Sequence, residues 1–437
     1  MFCRKYEIGP KLGKGAYGIV WKATVRKTRQ TVALKKIFDA FQNADDSQRI
    51  FREIMFLQEL GDHPNIVLLT NVLKPDDGKD IYLEFEYMQS DLHAVIRADI
   101  LLPIHKQYIM HQLLKALLYM HSGDVVHRDI RPANLLLNSE SLLKLAGFGL
   151  AHSVSAPDNV AKPALSDYVA TRCYYAPEIL LGSTKFTKGV DMWSVGCTLG
   201  ELLGGKPMFP GTSTMNQLDL IIEITGLPSS EDLEAINSPF ASTTLESLSP
   251  TTHKRDLSDM YPHATADALD LLRRCLCFNP EKRITAAEAL EHKFLSDFNQ
   301  PEGNPVCKAP VKISIDENIK YSIADSRKQL FQQILEKQRQ LRKNQKAAAE
   351  CRRPTRAIAL TSYAAETDAE LAFNQGDVLT ITEYGTDQDW WYGSLNCAAG
   401  FVPSDQLMLI SNDLILIQQD NEDPKEEKSG NNNDAQP

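Results

Sequence analysis

The sequence predicts an α+β domain over residues 1–298, then a helical linker and a small all-β barrel. Three observations carry that expectation. Residues 1–298 mix strand-like and helix-like periodicity with well-spaced Gly and Pro. Residues 322–352 contain neither Gly nor Pro and are rich in helix formers. Residues 357–410 break into short β-type runs such as "VLTITEY" and "WWYGSL". A chain of 437 residues has room for two to four domains at ~150 residues each.

Composition narrows the class. With 43% hydrophobic and 24% charged residues, the chain reads as soluble and globular. Its 47 basic and 57 acidic residues give a net charge of −10, which argues against a specific nucleic-acid partner. The eight cysteines form no metal-type CxxC pair and point to reduced thiols in a cytoplasmic or nuclear setting. No apolar run approaches the ~20 residues that span a bilayer. The N-terminus has no apolar signal region, and Phe2 stands where myristoylation requires Gly.

The first chemical signal is Gly13-Lys14-Gly15-Ala16-Tyr17-Gly18. Glycines at this spacing let a hairpin backbone lie close over phosphates with its N–H groups facing them. Dinucleotide folds carry a similar string, but follow it with a helix and an acidic residue ~20 positions on. Here "TVALKKI" supplies a strand bearing Lys35, and "FREIMFLQEL" a helix bearing Glu53. A strand Lys paired with a helical Glu anchors phosphates in protein kinases. "VVHRDIRPANLLL" then sets Asp129 five residues before Asn134, the spacing of a hydroxyl-proton acceptor and a magnesium ligand. "YYAPE", "DMWSVG" and Arg283 in "NPEKRIT" complete the order.

On these motifs residues 6–298 resemble the eukaryotic protein kinases, and among them the mitogen-activated protein kinases. "KKIFDAFQNADDSQRIFREIMFLQEL", "SDLHAVIRADIL" and "STMNQLDLIIEITGLPSSEDL" are most similar to the atypical extracellular-signal-regulated branch of the MAP kinase fifteen type. The resemblance implies a two-lobed α+β protein kinase fold. A five-stranded N-lobe with one helix would cover about residues 1–88 and a mainly helical C-lobe about 89–298, with ATP and magnesium between them. It assigns Lys35, Glu53, Asp129 and Arg131 to catalysis. Gly13, Gly15, Gly18, Val20, Ala33, Lys35, Glu86, Met88, Asp91 and Leu136 would bind the nucleotide. Within that set Val20, Ala33 and Leu136 enclose adenine, Glu86 to Met88 form the hinge and Asp91 holds ribose. Phe85 falls at the gatekeeper position, and Glu178 and Arg283 form a buried structural ion pair.

Several positions depart from the family pattern. Gly147 in "LAGFGLA" replaces the magnesium-binding Asp, leaving Asn134 as the remaining metal ligand. Arg131 replaces a catalytic-loop Lys; its planar guanidinium is bulkier and orients differently. The activation segment reads Ser166-Asp167-Tyr168, keeping two phosphorylatable residues. Cys173 and Tyr175 replace Trp and Arg, and His152 replaces an Arg, so fewer cations remain to order a phosphorylated loop. Glu84, in "IYLEFEYM", is expected as an edge-facing or snorkelled carboxylate. Two functions follow as alternatives. One is an ATP-binding but impaired, pseudokinase-like scaffold or switch; the other is an active proline-directed serine/threonine kinase acting on protein substrates.

Residues 357–410 resemble an SH3 domain through "AxALxxY", the acidic Glu366, Asp368 and Glu370, Trp390-Trp391 and "GFVPSDQL". The resemblance implies a groove for proline-rich peptides built on Tyr363, Trp390 and Pro403. Thr361 and Gln406 stand where the family offers tyrosines. Between the domains, residues 326–356 carry ten Lys/Arg against two Glu. A solvated spacer is the plain reading of linker 299–356. A clamp on the kinase lobe, attraction of the acidic tail 411–437 and a nuclear-import patch stay open.

Overall fold

The computed structural model describes residues 5–15, 18–40, 44–73, 80–154, 172–183, 185, 187–248, 255–298 and 303–313. It also describes 325, 327–329, 332–333 and 355–410, except 366, 368, 385–389 and 397. The expected modification sites Ser166 and Tyr168, most of the basic linker and the acidic tail lie outside these residues. The chain divides into Met1–Ile334 and Leu335–Pro437.

The first unit begins with β1 (Tyr6–Gly15), β2 (Gly18–Val25), β3 (Thr31–Ile37), helix α1 (Ala44–Leu60), β4 (Leu69–Leu73) and β5 (Ile81–Glu86). The strands form one antiparallel sheet in the order β1-β2-β3-β5-β4. Alternation gives the sheet two apolar faces. Ile81, Leu83 and Phe85 of β5 join the main core with Ile50, Ile54 and Leu57 of α1. Tyr6, Ala23, Val25, Val32 and Leu34 make a smaller cluster of their own.

Glu84 departs from its expected place. Rather than reaching the edge it is 8% exposed. Its carboxylate accepts hydrogen bonds from the Tyr6 hydroxyl, from Thr70 Oγ1 at 2.8 Å and from Lys5 Nζ at 3.1 Å. A buried charge is tolerated when donors surround it, and here strands distant in sequence supply them.

The larger lobe follows, with helix α2 (Pro103–Ser122), β6 (Leu135–Leu137), β7 (Leu143–Leu145), α3 (Gly189–Gly204), α4 (Thr214–Thr225) and α5 (Ala266–Cys275) among its elements. Helix α3 is apolar on nearly every side and is buried along most of its length, with Trp193 wholly enclosed. It ends at Gly205, whose φ of 72° suits the left-handed cap. No helix among the described residues is long and apolar enough to cross a membrane.

Chain beyond residue 298 also belongs to this unit. The Cys307 backbone N–H donates to Ser122 Oγ at 2.8 Å, and that of Val311 donates to the Gly123 carbonyl at 2.8 Å. Cys307, Val311 and Ile313 pack on the main core. A Cβ at Gly123 would stand 2.8 Å from the Val311 methyl, so the close approach needs glycine.

The second unit contains β8 (Thr355–Ala359), β9 (Val378–Tyr384), β10 (Trp390–Leu395), β11 (Ala398–Pro403) and β12 (Leu407–Ile410). They pair in the order β11-β10-β9-β8-β12. Ala357, Ala359, Leu371, Phe373, Leu379, Ile381, Val402 and Leu407 fill its core.

Candidate active site

Lys35 lies on β3 opposite Val20 of β2 and Leu83 of β5. Its Nζ meets both carboxylate oxygens of Glu53 on α1, at 2.7 and 2.9 Å. Phe148 is fully buried, stands edge-on to His127 with centroids 4.9 Å apart, and its turn packs against α1. These contacts hold the helix, the strand Lys and the far lobe in one alignment.

The expected nucleotide-binding residues gather around the same cleft. Gly15 pairs with Gly18 where β1 turns into β2, and a Cβ on Gly18 would overlap the Lys36 carbonyl oxygen. Gly13 and Gly15 have open space where a side chain would be. Ala33 faces Phe85 across the β3–β5 ladder, and both Ala33 and Leu136 pack on the main core. The Glu86 carboxylate accepts from the Leu68 N–H at 2.7 Å and Lys144 Nζ at 2.9 Å, while Met88 is buried. Asp91 caps the short helix Leu92–Arg97 by accepting from the Ala94 N–H at 2.8 Å.

Below the cleft, Asp191 of α3 braces the catalytic loop. It accepts the N–H groups of His127 and Arg128, each at 2.8 Å, and lies 2.9 Å from His121 Nε2. Arg128 takes the left-handed φ of 64° and donates from Nε to the Leu150 carbonyl at 2.7 Å. His127 accepts the Asp129 N–H on Nδ1 at 3.2 Å, and its Nε2 lies 3.1 Å from the Ala146 carbonyl. That pattern places its proton on Nε2, and burial holds the ring below its ordinary pKa, in the neutral form.

Both oxygens of Asp129 are engaged. Arg131 Nε donates to Oδ1 at 3.2 Å, and Asn134 Nδ2 donates to Oδ2 at 2.7 Å. The same Asn134 nitrogen also reaches the Asp129 backbone carbonyl at 2.7 Å. Burial pushes the Asp129 carboxyl above its usual value, against the pull of Arg131 and His127.

Gly147 sits in the left-handed region with φ of 87°, at the start of the Phe148–Leu150 turn. It has no side-chain oxygen to offer a cation, and Asn134 turns its amide nitrogen to Asp129. Among the described residues no group of three or more His, Cys, Asp or Glu could hold a metal ion. Gly147 thus leaves the family's magnesium pair without its carboxylate, while Asn134 donates its amide nitrogen to Asp129 and keeps its amide oxygen.

The sequence is similar to one family in particular. The sequence profile of the protein kinase domain matches residues 6–295. This chain belongs to the protein kinase family. A curated relative, extracellular signal-regulated kinase 2 of Dictyostelium discoideum, is 65% identical over 344 residues, covering 78% of this chain and 93% of that protein. Mitogen-activated protein kinase 15 of Xenopus laevis is 51% identical over 346 residues, covering 78% of this chain and 59% of that protein. The Caenorhabditis elegans protein of the same name is 47% identical over 338 residues, covering 76% and 72%. The kinase is thus of the mitogen-activated type. The SH3 domain profile matches residues 358–404.

Elsewhere in the kinase domain, Arg283 donates to both Glu178 oxygens at 2.6 and 2.7 Å, and both side chains are buried. Tyr174 and Tyr175 are buried, and Tyr174 donates to Glu201 at 2.6 Å. His152 is also buried, and burial pushes the Cys173 thiol up, away from thiolate.

In the SH3 domain, Tyr363 and Trp390 meet edge-on with centroids 6.1 Å apart, and Trp390 pairs with Pro403 across β10 and β11. Tyr363 donates to Glu370 at 2.6 Å; Glu366 and Asp368 lie outside the described residues. Thr361 and Gln406, the two replacements for tyrosine, face each other at 3.3 Å. Sequence reasoning passed over Phe401. It is 47% exposed, shares a face with Pro403 by alternation and stands edge-on to Tyr392. The signal was its place two residues before Pro403 in "GFVP".

Proposed function

We propose that this MAP kinase binds ATP but transfers its phosphate weakly or not at all, acting as a signalling scaffold or switch through its kinase and SH3 domains. The observation that carries this reading is Gly147 beside Asn134, a position that offers no carboxylate to a cation. Protein kinases use ATP with magnesium, and neutralising phosphate charge is the dominant part of their catalysis. Losing one such electrostatic contact lowers a rate by roughly 10²–10³. Nucleotide contact has support of its own. Lys35 is held by Glu53 and pairs across the ladder with Val20 of the glycine-rich hairpin, which supports Val20, Ala33, Leu136 and Glu86 to Met88 as the proposed frame for adenine. Proline-rich peptides with a basic flank are the proposed SH3 ligands, and the cytoplasm the proposed setting.

The alternative of an active proline-directed kinase is favoured by the same Lys35–Glu53 pair and by the buried Phe148, which keep the strand Lys and the helix in register. A thermal-shift titration of the full chain with ATP, with and without magnesium, separates the two. ATP should raise the unfolding midpoint, with little added by magnesium. Strong magnesium dependence, or robust peptide phosphorylation by the unmodified chain, would overturn the impaired reading.

A further inference from the structure

The SH3 domain carries a charge pattern of its own. Residues 357–410 contain no Lys or Arg against eight Asp/Glu, a net charge of −8. Such a surface draws cationic partners and repels acidic ones. Trp390 pairs with Pro403, and Tyr392 with Phe401, across β10 and β11, so these four side chains share one face of the sheet. Trp390 is 40% exposed there and Phe401 47%. A carboxylate stands at one end of this face. Glu370 forms a backbone bridge to Phe401, and its oxygens accept from the Tyr363 hydroxyl at 2.6 Å and from Thr367 Oγ1 at 2.9 Å. A carboxylate accepts from several donors at once, a cation among them.

The other end is polar. Thr361 lies two residues before Tyr363, and Gln406 three after Pro403. The Thr361 hydroxyl donates to Gln406 Oε1 at 3.3 Å, and the Leu360 N–H donates to the Gln406 carbonyl at 2.8 Å. A proline ring laid on this pair would strip water from a hydroxyl and an amide and meet no aromatic face in return.

We propose that this SH3 domain reads a short basic peptide with a single proline, an Arg or Lys set between Glu370, Phe401 and Trp390 and one proline ring against Tyr363 and Trp390. The carboxylate and the ring faces both favour a cation in that place. Thr361 and Gln406 are the specificity-determining pair, because they withhold the surface that a second proline, one polyproline turn away, would need. The inference rests on the peptide-binding reading of the SH3 domain and narrows its ligand from proline-rich to basic with one proline.

Calorimetric titration of the full chain with three synthetic peptides tests this. The first carries two arginines and one proline. The second adds a further proline one polyproline turn away, and the third is the first with glutamine in place of both arginines. The unmodified chain should bind the first two within about threefold of each other, and the third roughly tenfold or more weakly. Thr361→Tyr combined with Gln406→Tyr should tighten the second peptide by roughly fivefold or more and leave the first unchanged. Glu370→Gln should narrow the gap between the first and third peptides. Binding of the second peptide by the unmodified chain more than about threefold tighter than the first would overturn the proposal. So would equal binding of the basic and neutral peptides, or a gap that Glu370→Gln leaves intact. A chain that binds none of the three would instead overturn the peptide-binding reading itself.

Discussion

Replacing Glu84 tests how an ion can sit inside the smaller cluster of the N-lobe. Its partners are unequal. Lys5 is substantially exposed, so that ion pair contributes about 0–1 kcal/mol. Thr70 Oγ1 also lies 2.9 Å from the Glu84 backbone carbonyl and keeps that partner after any side-chain change. Tyr6 is 1% exposed, and without Glu84 its hydroxyl loses a charged acceptor, a loss of about 1–3 kcal/mol. With the side-chain volume also removed, Glu84→Ala should destabilise the domain by about 2–4 kcal/mol in urea unfolding. Glu84→Leu combined with Tyr6→Phe removes both polar partners and keeps an apolar filling, so it should recover most of that loss. Acid sensitivity gives a second readout. Burial pushes the Glu84 carboxyl up, but Tyr6, Thr70 and Lys5 together outweigh it and hold it below its usual 4.5. A depressed carboxyl contributes stability above its unfolded value, and that contribution is lost as pH falls through the folded one. The double variant should lack this part of the acid dependence below about pH 4.5. A double variant as unstable as Glu84→Ala, or a Glu84→Ala loss under about 1 kcal/mol, would refute the reasoning.

Two further outcomes are expected. His63 is 3% exposed, accepts the Asn65 N–H on Nδ1 at 3.1 Å and stacks on Tyr119; burial first, then Lys115 and Lys144, push it down to about 4. Its folded value lies below the usual 6.5, so stability should be full above pH 6.5 and decline as pH falls toward about 4; His63→Phe should flatten that decline, and parallel urea midpoints from pH 7 to 5 would contradict it. In the SH3 domain, Trp390→Ala should weaken a proline-rich, basic-flanked peptide by roughly tenfold or more in a fluorescence titration, and Phe401→Ala by less, while the kinase unfolding midpoint stays fixed. Unchanged affinity in both would remove the groove assignment.

What could be read from the sequence was chemistry tied to residue type and order. Lys35 and Glu53, and Asp129 and Asn134, are each legible because phosphate handling demands those groups at those spacings, and the structure pairs Lys35 with Glu53 and Asn134 with Asp129. Orientation was not legible. The five-residue spacing says that Asn134 is beside Asp129, but not that its amide nitrogen meets both the Asp129 carbonyl and Oδ2. Glu84 shows the same limit at longer range. Alternation identified its face of β5, yet its burial depends on Tyr6, 78 positions earlier in the chain. The segment 303–313 had no periodicity to reveal it, since backbone bonds to Ser122 and Gly123 and a few apolar contacts hold it in place.

The retained motifs and the lost one bear on different properties. Glu178 and Arg283 are both buried, and removing either partner would strand a charge at a loss of about 3–5 kcal/mol, whether or not phosphate is transferred. Asp191 is likewise required by the backbone it braces, since three donors from the catalytic loop and α2 converge on its buried carboxylate. Even His127 and Phe148 are core residues that hold each other. Most of the kinase signature in this chain is therefore maintained by folding energetics alone, and its presence says little about turnover. The Lys35–Glu53 pair is less enclosed than the Glu178–Arg283 pair, so folding energetics demand it less, in keeping with the proposed nucleotide contact. Position 147 takes a left-handed backbone at the start of the Phe148–Leu150 turn, and Phe148 beside it stays fully buried. On the proposed reading position 147 is the place where transfer is given up while the buried core and the Lys35–Glu53 pair persist.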